Sequence, residues 1–246
     1  MIDLNGKKIL VVDDEPLLRE LIREELESLG ANALEAEGGN SALALAQRNP
    51  LDLVISDIKM PNGDGITLLK NLSQLAVRKP VVLLMTGFAD VTPAEVYDLG
   101  AVGILSKPFD LMELAMTVRK ILTPRAELWT KNDEIPKSSV RTLSLLPSDS
   151  NVSLRQPFPK LGQGGLFLPL SKDFPKEGEV IRFQAQVEDF GDTLEGYAVV
   201  RWIRHQKNET GISGIGVEFI TLQSGALDHV MEYLARVKPR AFIPLE

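Results

Sequence analysis

The 246-residue chain is 44% hydrophobic and 25% charged, a globular composition that excludes wholesale disorder and leaves room for one large domain or two ordinary ones. With no cysteine, disulfides and thiolate metal sites are excluded, and a reducing cytoplasm is the expected location. The net charge of −7 divides into −6 for residues 1–122 (12 basic, 18 acidic) and −1 for the rest (15 basic, 16 acidic). Neither part offers a basic patch for a nucleic-acid backbone, so DNA is not an expected partner.

The opening MIDLNGKKILVVDDE carries charges around an apolar run of only four residues, unlike a signal peptide, and no stretch approaches the roughly 20 apolar residues of a membrane helix. Residues 8–12 (KILVV) form a continuous apolar run, as in a strand buried on both faces. Pro16 then opens a helical pattern through Leu18, Leu21, Ile22, Leu26 and Leu29 that Gly30 ends. Residues 31–37 predict a second strand, and Asn40 is the expected cap of the helix that follows it. Strand 51–57 precedes a helix over 65–75, and strand 80–86 precedes a helix opened by Thr92, Pro93 and Glu95 and closed at Gly100. A fifth strand, 102–106, leads into a last helix over 109–122. Five β-α units of this kind predict a doubly wound α/β domain with a parallel five-stranded sheet.

Residues 123–137 break the rhythm and are expected to be a linker, with one helical turn near Trp129. Beyond them the apolar period becomes two: 180–188, 195–205 and 212–220 predict strands, and 224–237 an amphipathic helix. Residues 138–246 are therefore expected to fold as a small, mostly β barrel carrying a C-terminal helix.

In an open parallel sheet, ligands lie off the carboxyl ends of the strands. Asp13 and Asp14 follow the first strand, Asp57 ends the third, Thr86 ends the fourth, and Lys107 follows the fifth. Two carboxylates about 4 Å apart repel by roughly 4 kcal/mol at an effective dielectric near 20. Such a cluster suits a divalent cation, and an all-oxygen, water-rich site suits Mg²⁺. Asp57 beside it can act as a carboxylate nucleophile toward phosphorus, with Lys107 and Thr86 supporting the phosphoryl oxygens.

The set VVDDE, DIKMPNGDG, MTG and SKPF resembles the response-regulator receiver family over residues 1–122. The resemblance implies a flavodoxin-like fold and phosphorylation of Asp57 by a sensor histidine kinase or phosphotransfer protein. It also implies Mg²⁺ held by Asp13, Asp14, Asp57 and the backbone carbonyl of Lys59, a phosphoryl contact from Lys107, and Thr86 as the residue that registers phosphorylation. One position departs from that family. Ile104 stands where a tyrosine or phenylalanine is usual, so an aromatic relay does not operate.

Residues 138–238 resemble a PilZ domain through GGLFL, EVIRF, GYAVVRWIR and GIGVEFI before a terminal helix. PilZ domains that bind cyclic-di-GMP use an R-x-x-x-R segment and a [DN]-x-S-x-x-G turn, whose charged and polar side chains grip phosphate and guanine. Here Lys160 and Gly162 replace the first two turn residues ahead of Gly165, and Lys137 with Arg141 is the best remnant of the arginine pair. Hydrogen bonds to charged groups contribute about 1.5–3 kcal/mol each, so losing two or three removes roughly 3–9 kcal/mol. Lys137, Arg141 and Lys160 are the remaining candidate contacts to an anion. The expected function is a two-component response regulator whose PilZ-like output acts through an unknown protein partner, and not a free-standing enzyme, beyond self-catalysed loss of the phosphoryl group. A dual-input effector that also senses cyclic-di-GMP is the alternative, and a homodimer stays open.

Overall fold

The computed structural model describes residues 2–75, 79–87, 91–130, 140–146, 159–187, 193–205, 212–237 and 241–244. Contacts divide the chain into two compact units. The first is Met1–Thr92 with Leu99–Thr123, and the second is Pro93–Asp98 with Pro124–Glu246.

In the first unit, five strands, β1 (Lys8–Val12), β2 (Asn32–Ala36), β3 (Leu53–Asp57), β4 (Val81–Thr86) and β5 (Gly103–Ser106), form a sheet in the order β2-β1-β3-β4-β5. All four pairings are parallel. This is the flavodoxin-like doubly wound arrangement. Its helices are α1 (Pro16–Ser28), α2 (Gly39–Arg48), α3 (Gly65–Leu72) and α5 (Leu111–Leu122). Ile9, Val11, Leu53, Ile55, Leu83, Met85 and Leu105 alternate along the strands and pack with Ile22 and Leu26 of α1 and Leu114 and Val118 of α5. Leu10, Val12, Val54, Val82 and Leu84, of the opposite parity, are buried as well. Burial on both faces explains why these strands are apolar runs without alternation.

Helix starts follow local chemistry. Asp64 caps α3 by accepting from the Thr67 amide at 2.8 Å, and Asp110 caps α5 by accepting from the Glu113 amide at 2.6 Å. The expected cap Asn40 instead lies inside α2, which begins at Gly39. The first amides of α2 find partners across the loop: Gly39 N donates to Gly63 O at 2.9 Å and Asn40 N to Asn62 O at 3.2 Å. A β-carbon on Gly39 would collide with the Gly63 carbonyl, so this contact needs glycine.

In the second unit, strands β6 (Arg141–Leu145), β7 (Lys160–Leu161), β8 (Gly165–Pro169), β9 (Val180–Gln186), β10 (Thr193–Arg204) and β11 (Gly214–Leu222) form a sheet ordered β6-β9-β10-β11-β8-β7. All pairings are antiparallel except β6 with β9. Leu166, Leu168, Ile181, Phe183, Ala185, Val200, Ile215, Val217 and Phe219 make its core, closed by Ala226, Val230 and Tyr233 of helix α7 (Ser224–Val237). The unit also contains α4 (Pro93–Asp98), which lies between β4 and β5 in the chain.

The span expected as a linker contributes to this core. After α6 (Arg125–Leu128), Trp129 is 2% exposed and meets Phe219 edge-on at 5.4 Å. Its carbonyl accepts from the Thr221 hydroxyl at 2.6 Å and the Leu222 amide at 3.0 Å. No helix among the described residues is long and apolar enough to cross a membrane. Replacing Trp129 by alanine should cost the second unit about 3–5 kcal/mol, the usual range for a fully buried large aromatic. Denaturant unfolding followed through second-unit probes measures this, and a loss below about 1 kcal/mol would mean that the ring is not part of that core.

Candidate functional site

The parallel ladders bring the carboxyl ends of β1, β3, β4 and β5 to one edge. Register fixes Val12 opposite Ser56, Asp57 opposite Met85, and Thr86 opposite Ser106. Asp13, Asp57, Thr86 and Lys107 therefore share that edge, as expected from their positions in the chain. Lys107 Nζ lies 2.8 Å from Asp13 Oδ2 and 3.1 Å from Asp57 Oδ1. Asp13 is fully buried and Asp57 is 8% exposed.

Backbone contacts hold this triad in place. The Lys107 amide donates to Thr86 O at 2.6 Å, and Ile58 N donates to Met85 O at 3.0 Å. Asp13 Oδ1 accepts from the Glu15 amide at 2.9 Å. Gly65 N donates to Ile58 O at 2.9 Å, and a β-carbon there would collide with the Asp57 carbonyl. Glycine at position 65 thus lets α3 start directly against the end of β3. The Lys107–Pro108 peptide bond is cis. Arg19 is a contributor that the sequence reading missed. Its guanidinium donates to Asp13 O at 2.7 Å and pairs with Glu35 at 3.2 Å. The one signal for it in sequence is its place one turn into the helix that follows Asp13 and Asp14.

Burial pushes the Asp57 carboxyl above its ordinary range, and the neighbouring Lys107 charge only partly offsets this. For Lys107 the balance runs the other way. Burial alone would lower it, but the bonds and charges of Asp13 and Asp57 outweigh that and hold the ammonium above its usual value. Lys107 is thus a firmly protonated cation, and Asp57 is a poorly solvated carboxylate with a raised proton affinity.

The three aspartates expected to converge on one cation do not make a closed cage. Among the described residues no three His, Cys, Asp or Glu side chains gather as a metal site. Lys107 supplies the counter-charge between Asp13 and Asp57, while Asp14 is exposed. The donors still fit Mg²⁺, which keeps most of its waters and takes one or two carboxylates from a protein. Lys59, whose carbonyl was the further expected ligand, lies on the exposed turn after Asp57, and Ile104 is half-buried opposite Leu84.

The second candidate site is built differently. Arg141 begins β6 and Lys160 begins β7, with four strands between them in the ladder order. The Arg141 guanidinium donates to the Asp173 carbonyl, Lys160 is exposed, and Lys137 lies outside the described residues. The glycine turn after Lys160 is occupied by the chain's own C-terminal segment. Gln163 N donates to Ala241 O at 2.8 Å and Gly164 N to Phe242 O at 2.9 Å. β-Carbons at Gly162 and Gly164 would collide with the Phe242 carbonyl and the Phe242 ring. The glycines are there to admit this segment, which no local reading of the turn could supply.

Residues 9–119 match the family model described as response regulator receiver domain. Among curated proteins, the chain is 36% identical over 138 residues to the transcriptional regulatory protein CpxR of Klebsiella pneumoniae, covering 56% of this chain and 58% of that one. It is 34% identical over 149 residues to the alkaline phosphatase synthesis transcriptional regulatory protein PhoP of Bacillus subtilis, covering 58% and 61%. The chain thus spans about three fifths of the length of these relatives. Among solved structures it resembles the chemotaxis response regulator CheY4 of Vibrio cholerae, with 30% identity and a TM-score of 0.44, covering 48% of this chain and all of that one. With the aspartates, the threonine and the lysine on one sheet edge, residues 9–119 form a response regulator receiver domain.

Proposed function

We propose that this protein is a cytoplasmic phosphorylation-controlled regulator in which Asp57 accepts a phosphoryl group and the second unit, a PilZ-like module, acts by protein contact. The observation that carries the reading is the desolvated Asp57 carboxylate beside the Lys107 ammonium at 3.1 Å. The donor is a phosphohistidine on a sensor kinase or phosphotransfer protein. Asp57 Oδ forms a bond to phosphorus as the P–N bond to imidazole breaks, and the leaving imidazole takes up a proton. Lys107 then pairs with the phosphoryl oxygens, and the Thr86 hydroxyl donates to one of them. Asp14, Asp57 and the Lys59 carbonyl would hold Mg²⁺, with Asp13 beside them, and the bound ion supplies positive charge against the phosphoryl oxygens.

An exposed apolar pair supports the docking side of this reading. Leu17 and Leu21 are 76% and 52% exposed, one turn apart on the helix that begins just after Asp14. They suit the apolar surface of a helical histidine-bearing partner. On the output side, the six-stranded sheet with its C-terminal helix supports a PilZ-like module, and a glycine turn filled by the chain's own segment disfavours nucleotide there.

Beryllofluoride with Mg²⁺ should bind the wild-type protein and not Asp57→Asn; equal binding by both would overturn the phosphoacceptor assignment. Because burial raises the Asp57 carboxyl, its ionised form weakens the fold at neutral pH, and the penalty fades as pH falls through the raised value. Asp57→Asn should therefore melt at a higher temperature than wild type at pH 7, with the difference shrinking toward acid. A lower melting temperature would mean that the pair with Lys107 outweighs burial. Leu21→Glu should slow phosphotransfer from the kinase by about tenfold or more while leaving phosphorylation by acetyl phosphate unchanged, the split that separates docking from chemistry. Calorimetric titration with cyclic-di-GMP should give no submicromolar binding, and a submicromolar constant would install the dual-input alternative.

A further inference from the structure

Every polar atom of Asp13 has a partner. Its amide donates to Ala36 O at 3.3 Å, Oδ1 accepts from the Glu15 amide at 2.9 Å, and Oδ2 takes the Lys107 ammonium at 2.8 Å. Its carbonyl accepts from Arg19 Nη1 at 2.7 Å. The first three contacts fix the buried side chain and its exit from β1. The fourth fixes the peptide that leads on to Asp14. A peptide unit is planar, so holding the Asp13 carbonyl also holds the Asp14 amide and sets where the Asp14 Cα stands. Asp14 is exposed, so packing does little to place it and the peptide before it matters correspondingly more.

Arg19 is braced in turn. Its Nε lies 3.2 Å from Glu35 Oε1, while the other oxygen of Glu35 lies 3.0 Å from Arg23 Nε. Glu35 sits on β2 opposite Val11 of β1, so the anchor belongs to the same ladder that ends at Asp13. The Arg19 amide donates to Glu15 O at 3.1 Å, which ties the first turn of α1 to the loop. The planar guanidinium serves the carbonyl with one nitrogen and the carboxylate with another; a lysine ammonium on its flexible stem does not fix two directions at once. Ion pairs as accessible as Arg19–Glu35, at 17% and 34% side-chain exposure, add little to stability. The contribution of this pair is to geometry.

We propose that Arg19, anchored by Glu35, is a positioning residue for the cation: it locks the Asp13–Asp14 peptide and so holds Asp14 where Mg²⁺ is bound. The effect on Mg²⁺ rests on the reading in which Asp14 and Asp57 hold the ion; the lock on the peptide does not. Partners that orient a metal ligand typically change affinity by about 10–100-fold when removed. Charge alone predicts the opposite sign, because Arg19 is a cation beside a cation site and its removal would tighten Mg²⁺ binding. The direction of the change therefore separates positioning from electrostatics.

Two measurements on the full chain test the two parts. In the metal-free protein, backbone amide relaxation by NMR should show the Asp14 amide as ordered as those of β1 in wild type and clearly more mobile in Arg19→Met, with β1 and β3 unchanged. An Asp14 amide equally ordered in both would overturn the lock. In calorimetric titration with Mg²⁺, Arg19→Met should bind about tenfold more weakly than wild type. Arg19→Lys, which keeps the charge, should also bind more weakly. Arg23→Gln, which removes an exposed charge from the same network without touching Asp13, should stay within about twofold of wild type. Equal or tighter binding by Arg19→Met would overturn the positioning role. If Arg19→Met loosens the rest of the unit, Glu35→Gln leaves Arg19 in place and removes only its anchor, and the same comparison of the Asp14 amide and of Mg²⁺ affinity decides. Mg²⁺ binding absent from wild type, or equal in wild type and Asp57→Asn, would count against the cation reading and overturn the positioning role with it, while the Asp14 amide still decides the lock.

Discussion

The first unit depends on one ammonium group. Lys107 stands 2.8 Å from Asp13 and 3.1 Å from Asp57, two carboxylates that β1 and β3 bury at the same sheet edge. Their mutual repulsion would be several kcal/mol at the low effective dielectric of such a place. Lys107 arrives there because β5 pairs with β4 so that Ser106 meets Thr86, putting the next residue over the edge. The arrangement is deliberately unbalanced. Burial still raises Asp57 despite the cation, while both carboxylates together raise Lys107. In the proposed phosphoacceptor role, a carboxylate kept poorly solvated beside a fixed cation is preorganised for attack on phosphorus.

That edge was legible in sequence because it rests on short-range rules. Short, mostly apolar runs mark strands buried on both faces, and the residue after each run must fall on the carboxyl side of a parallel sheet. Asp13, Asp57, Thr86 and Lys107 could be assigned to one edge without knowing any distance. The helix caps were less legible: Asp64 and Asp110 cap α3 and α5, and neither was named from sequence. The α2 start depends on carbonyls of Gly63 and Asn62, more than twenty residues away, and Asn40 was misread for that reason. Arg19 was missed on the same ground, since its value comes from the Asp13 carbonyl and Glu35 across the fold.

The second unit was less legible because its decisive contacts are the most remote. Alternation found β9, β10 and β11, but Trp129 looks in sequence like a residue of a charged, proline-flanked spacer. Only the pairing of its carbonyl with Thr221 and Leu222, more than 90 positions on, makes it core. The glycine turn shows the same limit. Its missing polar side chains could be read as a damaged nucleotide site, and the structure supplies the physical reason for them. A backbone carbonyl and an aromatic ring of the C-terminal segment stand where β-carbons would be. A turn emptied of side chains is what a peptide segment requires in order to approach backbone to backbone.

Chain order and packing disagree at α4, which follows β4 in sequence but groups with the second unit. The helix expected between Thr92 and Gly100 is found at Pro93–Asp98, so its existence was written locally, but its company was not. Six residues make too short a helix to be stable by its own hydrogen bonds, so its helicity depends on what buries Val96 and Tyr97. For Tyr97 that partner is Phe242, which stacks on its ring and donates its amide to its carbonyl at 2.9 Å, a contact from 145 residues along the chain. Local signals can therefore place such a helix in the chain, but not the aromatic contact that covers Tyr97, because that contact is as remote in sequence as those of Trp129 and the glycine turn.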